Sequence, residues 1–329
     1  MKVLITGGAG FIGSHLADRM LERGDEVVVI DDFSSGSPDN IAHLRGNPRF
    51  ECVMGSASDA DAVGPLVANS DVIVHLAAAV GVRLILESPV RTIENNLFGT
   101  AVVLTAAAEA HRAGRPKLVL LASTSEVYGK GNRPPFREDD DLTLGPTTNS
   151  RWAYACSKAM DEWLGLAHWR EHGLPVTIAR FFNTVGPRQT GRYGMVLPNF
   201  TEQALAGEPI TVFGSGRQSR CFCHVSDTVE AVIRLLDTPR TNGEVFNVGS
   251  DREISMRDLA DMVRRAAISS SPIELVPYDE AYAEGFEDME RRVPDCSKIE
   301  KWTGFRPKRS LEQIIADVIA DRRLRLTPT

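Results

Sequence analysis

Short apolar runs rich in β-branched residues alternate with longer amphipathic stretches over the first half of the chain. Such runs predict buried strands at residues 2–6, 26–31, 72–76, 117–123 and 176–180. Between them, apolar positions at helical spacing predict helices at residues 12–23, 93–113 and 153–172. Because strands that alternate with helices form parallel sheets, the sequence predicts an α/β fold with a Rossmann-like, doubly wound parallel sheet.

The alternation weakens after Phe181, where residues up to about 223 are rich in Gly, Pro and Arg and do not continue the sheet pattern. Residues 244–249 predict one more core strand, and residues 255–267 and 310–322 predict helices. We therefore predict two interleaved domains. The Rossmann domain comprises residues 1–180 with about 224–250, and a smaller C-terminal substrate domain comprises residues 181–223 and 251–329.

Composition is that of an ordinary globular protein, with 329 residues of which 43% are hydrophobic and 25% charged. The formal net charge is -7 and no basic block occurs, so no nucleic-acid partner is expected. The first residues lack the features of a secretory signal and no apolar run reaches membrane-spanning length. We therefore expect a cytoplasmic protein without a membrane partner.

The five cysteines are an odd number without a disulfide pattern, which favours a reducing compartment. Cys221 and Cys223 form the only close pair in the sequence. One such pair is too little for a zinc motif, so no metal site is expected. We predict that both are core thiols on one strand.

A glycine-rich turn at residues 6–13 follows the first predicted strand and opens the first predicted helix. Gly7 permits a tight turn, Gly10 lets backbone amides approach a pyrophosphate, and Gly13 allows the helix to pack closely on the sheet. The N-terminus of a helix also favours negative charge. The turn, which includes Phe11 and Ile12, therefore predicts a dinucleotide site.

Asp31 and Asp32 end the second predicted strand. A carboxylate there accepts hydrogen bonds from both hydroxyls of an adenosine ribose and repels a 2′-phosphate. No arginine adjoins the two aspartates, so NAD is favoured over NADP.

Tyr154 and Lys158 are four residues apart near the start of a predicted helix, so both side chains lie on one face. A tyrosine is a poor base at neutral pH, but an adjacent ammonium favours phenolate. We therefore expect Lys158 to lower the pKa of Tyr154. The hydroxyl-rich stretch at residues 123–129 follows the fourth predicted strand, at the sheet edge where ligands bind.

The glycine turn, the Ser-Thr stretch and the Tyr-x-x-x-Lys pair, in this order, resemble the extended short-chain dehydrogenase/reductase family over nearly the whole chain. Further matches are Asn95-Asn96 before Gly99-Thr100, residues 180–183, Gly186-Pro187-Arg188, and Arg220 before residues 225–227. The resemblance implies that Thr124 and Tyr154 are the acid/base pair, with Lys158 as electrostatic partner. It extends the catalytic set to Ser125 and Glu126 and the cofactor site to Leu76, Ala77, Ala78 and Asn96.

The same resemblance implies a nucleotide-sugar substrate. Asn183 then contacts the diphosphate, Arg220 and Arg292 clamp it, and Thr211 and Phe213 flank the uracil. Guanidinium groups suit diphosphates because they bind oxygens in pairs.

Two positions depart from the family pattern. Ser56 stands where many members have an adenine-contacting Asp, which puts that contact in doubt. Ser125-Glu126 replaces the Asp-Glu that follows the catalytic Thr in sugar 4,6-dehydratases. Loss of that acid counts against dehydration.

Three reactions fit: 4-epimerisation of UDP-glucose, 4-epimerisation of UDP-glucuronate, and decarboxylation of UDP-glucuronate. All begin with oxidation at C4 to a 4-keto sugar. Thr124, Ser125 and Glu126 with Arg292 also match the decarboxylases.

The loop at residues 189–195 and the segment at residues 285–295 resemble UDP-glucuronic acid 4-epimerases such as that of the moenomycin pathway. Arg192 in that loop can bind a C6 carboxylate with two hydrogen bonds. We therefore expect epimerisation of UDP-glucuronate to UDP-galacturonate. The retained Tyr154 and Lys158 argue against a non-enzymatic NAD-sensing regulator, and the helices at residues 93–113 and 153–172 resemble the family's homodimer bundle.

Replacing Arg192 by alanine should weaken use of UDP-glucuronate much more than use of UDP-glucose, by roughly 2–4 kcal/mol if the ion pair is desolvated. Without the guanidinium, the 4-keto acid should also lose CO₂ more often. The measurement is kcat/KM for both sugars together with an assay for UDP-pentose. An equal fall for both sugars, with no pentose, would remove Arg192 from carboxylate recognition.

Overall fold

The computed structural model describes residues 1–81, 88–131, 133–191, 195–281 and 289–326. Its strands are β1 (Lys2–Thr6), β2 (Glu26–Asp31), β3 (Phe50–Met54), β4 (Val72–His75), β5 (Leu118–Thr124), β6 (Val176–Phe181), β7 (Thr184–Val185), β8 (Ile210–Phe213), β9 (Ser219–Cys221), β10 (Cys223–His224), β11 (Glu244–Val248), β12 (Glu253–Ser255), β13 (Ile273–Val276) and β14 (Arg291–Arg292). Its α-helices are α1 (Phe11–Glu22), α2 (Ala60–Ala68), α3 (Pro89–Arg112), α4 (Ala153–His172), α5 (Val196–Ala206), α6 (Val225–Leu236), α7 (Met256–Ala266), α8 (Tyr278–Ala281), α9 (Ser297–Thr303) and α10 (Leu311–Leu326).

Seven parallel strands form the central sheet in the order β11-β6-β5-β4-β1-β2-β3. The chain moves outward from β1 to β3 on one side and from β4 to β11 on the other. The two directions diverge between β1 and β4, where a doubly wound sheet leaves a crevice at the carboxyl ends of its strands. The predicted Rossmann-like fold is confirmed.

Both faces of the sheet are covered, which explains why its inner strands are almost wholly apolar. Val3 and Ile5 pack with α1 and α6 on one face, whereas Leu4 packs with α2 and α3 on the other. Alternate residues of one strand thus enter two separate apolar layers. The edge strand β3 is different, because its side chains are mostly exposed or half-buried. Its mixed composition did not predict a strand.

Residues 182–223 leave the sheet, as the weaker pattern predicts, and β11 then returns to it. Helices α5, α7 and α10 share an apolar cluster of their own that includes Leu197, Leu259 and Ile315. This separate cluster supports the proposed division into two interleaved domains. Cys221 and Cys223 are both buried, but they lie on β9 and β10, which pair with different strands. The prediction that one strand carries both is therefore wrong.

Helices α3 and α4 pack against each other and leave large apolar side chains in water. The exposed fraction is 58% for Phe98 and 59% for Trp163, and Val90 and Met160 are exposed as well. Such patches are typical of protein interfaces. The patch supports the expected homodimer. In the described part of the chain, no helix combines the length and the hydropathy needed to cross a bilayer.

The double substitution Phe98→Lys and Trp163→Lys should convert a dimer into a monomer, because it places four cations in a symmetric interface. Sedimentation velocity at micromolar protein measures the mass. Leu324→Lys is the matched control, since Leu324 is 78% exposed outside this surface. A monomeric wild-type protein at that concentration would contradict the expectation.

Candidate active site

A cavity of about 540 Å³ runs from the glycine turn to the C-terminal domain. With Asn96 and Arg192 set aside, every sequence-predicted site residue lines it. These residues are Gly7, Gly10, Phe11, Ile12, Gly13, Asp31, Asp32, Leu76, Ala77, Ala78, Thr124, Ser125, Glu126, Tyr154, Lys158, Asn183, Thr211, Phe213, Arg220 and Arg292. Arg192 lies outside the described residues.

The glycine turn is shaped by close backbone contacts. Gly7 has a φ of +70°, which side-chain-bearing residues rarely adopt. A Cβ on Gly13 would lie 2.3 Å from the Gly7 carbonyl oxygen. Helix α1 follows with Gly10 as its N-cap and no side chain on its first amides. The turn therefore leaves open the cradle that a pyrophosphate needs.

Asp31 lies beside the glycine turn, where the adenosine ribose is predicted to bind. Its carboxylate accepts hydrogen bonds from the amides of Ala9, at 2.9 Å, and Phe33, at 2.8 Å. Burial raises the pKa of Asp31, and these amide bonds oppose that shift. A carboxylate has about four acceptor positions, so acceptor capacity remains for the ribose. The residues present thus fit the dinucleotide that the sequence predicts.

Two polar residues near this end differ from expectation. Ser56 lines the cavity, with its hydroxyl 2.8 Å from that of Ser58, so a hydroxyl stands where an adenine contact was in doubt. Asn95 lines the cavity, whereas Asn96 is buried behind the wall. The Asn96 carboxamide accepts from the Ala79 amide at 2.8 Å. It therefore supports the wall at Ala79, and direct contact with a cofactor stays a prediction.

Tyr154, Thr124 and Lys158 line the catalytic part of the cavity, as predicted. Burial raises the pKa of Tyr154 above its ordinary value, and the charge of Glu126 raises it further. A hydrogen bond with Thr124 and the charge of Arg292 oppose this shift.

The expectation of a lowered pKa for Tyr154 is therefore not met in this structure, whereas the contribution of Lys158 itself stays a prediction. The phenol is buried, and the Lys158 ammonium lies 2.7 Å from the carboxylate of Asp161. Because that carboxylate neutralises the ammonium, the field of Lys158 at the phenol is reduced.

Glu126 lies between two guanidinium groups. Its Oε2 is 2.6 Å from Arg151 Nη1, and its Oε1 is 3.2 Å from Arg292 Nη1. Burial raises the pKa of Glu126, but the charges of Arg151 and Arg292 outweigh burial and lower it to about 2. Glu126 is thus ionised throughout the physiological pH range.

Arg151 was not predicted as a site residue. It is 2% exposed and lies three residues before Tyr154, in the short 3₁₀ turn that leads into α4. A single arginine in a sequence is more often a solvated surface group. The one feature of the sequence that could have pointed to Arg151 as a site residue is its position next to the Tyr-x-x-x-Lys pair.

The two predicted diphosphate clamps lie side by side. Strands β9 and β14 are parallel, and their register pairs Arg220 with Arg292. Arg220 donates to the Ser219 carbonyl at 2.8 Å, whereas Arg292 bonds Glu126 and the Asn183 side chain. We call the part of the cavity lined by Thr124, Glu126 and Tyr154 the catalytic wall. Arg292 therefore reaches this wall as well as the cavity that Arg220 lines.

Thr211 and Phe213 lie on β8 at the far end of the cavity. The Gln203 side chain holds Thr211 from both sides, because its amide donates to the hydroxyl and its oxygen accepts from the Thr211 backbone, each at 3.1 Å. Gln203 also lines the cavity, and nothing in the sequence pattern had singled it out.

Known relatives match almost the whole chain. A UDP-N-acetyl-α-D-glucosaminuronate decarboxylase of Bacillus cytotoxicus is 43% identical, over 97% of this chain and 96% of its own. UDP-glucuronic acid decarboxylase 1 of Arabidopsis thaliana is 37% identical, over 99% of this chain and 71% of its own. A solved UDP-glucuronic acid 4-epimerase mutant of Bacillus cereus, in complex with UDP-4-deoxy-4-fluoro-glucuronic acid and NAD, has a TM-score of 0.86 at 28% identity, covering 98% of this chain and 99% of that one.

The names of these relatives share UDP-linked acidic sugars but differ in the reaction. The profile of the family described as GDP-mannose 4,6 dehydratase matches residues 4–318. This match includes the glycine turn, the catalytic wall and the paired arginines. The chain therefore belongs to that family of NAD-dependent nucleotide-sugar enzymes, within the extended short-chain dehydrogenases/reductases.

Proposed function

We propose that the protein is an NAD-dependent 4-epimerase that converts UDP-glucuronate to UDP-galacturonate. The observation that carries the proposal is the catalytic wall, where Tyr154 and Thr124 stand beside a Glu126 that Arg151 and Arg292 keep ionised. The names of the relatives support a UDP-linked acidic sugar as the substrate class.

The glycine turn and Asp31 support NAD as the cofactor. When bound, NAD would supply hydride chemistry at C4 of the sugar. The turn would hold the pyrophosphate on the first amides of α1, and Asp31 would hold the adenosine ribose. Lys158 lines the same cavity, where its ammonium can reach the second ribose.

Tyr154 and Thr124 supply the acid/base chemistry at O4. The phenolate form of Tyr154 removes the hydroxyl proton as C4 is oxidised, and the resulting phenol returns that proton when the ketone is reduced. Thr124 hydrogen-bonds the phenol and orients it toward the same oxygen. Epimerisation would also require the 4-keto sugar to rotate in the cavity, so that its opposite face is presented to the cofactor site.

The ionised Glu126 does not itself provide the proton that decarboxylation requires, although Glu126 and Arg292 also match the decarboxylases. Loss of CO₂ from a 4-keto uronate leaves an enolate, which needs a proton donor at C5. Glu126 is the carboxyl group of the catalytic wall, but its pKa of about 2 and its two guanidinium partners leave it without a proton to donate. Epimerisation needs only the single proton that Tyr154 removes and returns.

Decarboxylation of a UDP-linked uronate is the second candidate. It is favoured by the relatives at 43% and 37% identity, both described as decarboxylases. Both reactions share the oxidation at C4, so the same residues serve the first step. They differ in whether the C6 carboxylate survives the 4-keto stage.

Incubation of the purified protein with UDP-glucuronate, followed by NMR, identifies the product. We expect UDP-galacturonate at equilibrium with substrate and little UDP-pentose. Parallel reactions with UDP-N-acetylglucosaminuronate and UDP-glucose test the sugar class. UDP-xylose as the main product would replace the epimerase with the second candidate, and lack of turnover of all three sugars would contradict both.

Tyr154→Phe should lower kcat at least ~10²-fold, because acid/base groups contribute about 10² to 10⁴ in rate. The affinity for UDP-glucuronate should change little, since only the hydroxyl is lost. Turnover and calorimetric binding are measured separately. Tyr278→Phe removes a hydroxyl elsewhere in the cavity and should keep its kcat. Near-normal turnover in Tyr154→Phe would exclude the phenol from the mechanism.

A further inference from the structure

Lys158 has a buried partner that neither the sequence motif nor the proposed reaction uses. Asp161 follows it by three residues on α4, so both side chains lie on one helix face. Lys158 Nζ lies 2.7 Å from Asp161 Oδ2, and the two side chains are 4% and 2% exposed. An ion pair at this depth fixes the ammonium far more firmly than a surface pair does.

Asp161 also faces a second helix. Its Oδ1 is buried and has no well-aligned donor in the described part of the chain. Burial raises the pKa of Asp161, while the Lys158 charge and the hydroxyl of Thr100 on α3 oppose that shift. Thr100 is therefore close enough to favour the charged carboxylate.

The Thr100 hydroxyl is linked to the central sheet by a buried histidine. Its hydroxyl lies 3.1 Å from His75 Nε2, and the Thr6 hydroxyl lies 2.8 Å from His75 Nδ1. Burial first, and then the nearby Lys158 charge, lower the pKa of His75 to about 3. His75 is thus neutral, with one ring nitrogen that donates and one that accepts.

One arrangement of these hydrogen bonds is compatible with the Ala77 amide, which donates to the Thr6 hydroxyl at 3.2 Å. In it, the Thr6 proton is directed to His75 Nδ1, and Nε2 carries the ring proton and donates to Thr100. The Thr100 proton then remains for the carboxylate of Asp161.

We propose that Asp161 is a positioning residue for Lys158, through their buried ion pair beside the polar groups of Thr100, His75 and Thr6. The inference rests on the proposed function, because it takes Tyr154 and Lys158 as the catalytic pair. This series of polar groups starts at Ala77, which lines the cofactor end of the cavity. It therefore connects that end of the cavity with Lys158.

Asp161 also affects the phenol through its charge. The charged groups that bear on Tyr154 are Glu126 and Asp161, which raise its pKa, and Arg292, which lowers it. Near Lys158, the Asp161 carboxylate neutralises the ammonium, and His75 carries no charge that could act on the phenol. Removal of the Asp161 charge should therefore lower the pKa of Tyr154.

Asp161→Asn keeps the shape of the side chain and removes its charge. We expect the tyrosinate absorbance titration of Tyr154, taken as the difference from a Tyr154→Phe background, to move to lower pH by about one unit. The acid limb of the kcat profile should move in the same direction, since activity rises as the phenol loses its proton. KM for UDP-glucuronate should change less than kcat. Glu171→Gln, an exposed acid on α4, is the matched control.

An unchanged titration and an unchanged acid limb in a folded Asp161→Asn protein would overturn the proposal, even if kcat fell. If that variant does not fold, Thr100→Val replaces it, with a smaller shift expected in the same direction and no shift again overturning the proposal. The titration needs no turnover, so its outcome is separate from failure of the proposed function. That failure would appear instead as normal turnover in Tyr154→Phe.

Discussion

The parallel alignment of the central strands is the constraint on which the site depends. Because neighbouring strands run in one direction, their carboxyl ends meet at one edge of the sheet. Thr6, Asp31, His75 and Thr124 are each the last residue of a strand on that edge. One edge thus brings together the buried histidine, the carboxylate proposed to hold the ribose and the hydroxyl proposed for catalysis, although these residues are far apart in the sequence.

The sequence predicts those parts of the molecule in which a local pattern decides the structure. The inner strands are apolar because both sheet faces are covered, and α4 begins and ends where its periodicity indicates. The amphipathic helix α6 was not predicted, although it buries Val229, Val232 and Leu236 along one face. Edge strand β3 lacks the apolar run that distinguishes the inner strands.

The electrostatics of the site were less predictable, because they depend on contacts between distant segments. A Tyr-x-x-x-Lys spacing places the two side chains together but does not reveal that Asp161 neutralises the lysine. Nor does it reveal that the phenol is buried beside the ionised Glu126. Arg151 joins the site through an ion pair that no motif records. Motifs therefore identify which residues meet, whereas the sign of a pKa shift requires the burial and the charges around them.

The in-register pairing of Arg220 with Arg292 also bears on how such an enzyme can diversify. Strand β9 carries Arg220, which is predicted to bind the nucleotide, and β14 carries Arg292, which contacts Glu126. An insertion or deletion that slides β14 along β9 would separate Arg292 from Glu126 and also from Arg220, the arginine predicted to bind the nucleotide. New reactions in this lineage are therefore expected to arise by point substitution on a fixed register, with changes of chain length confined to segments outside these two strands.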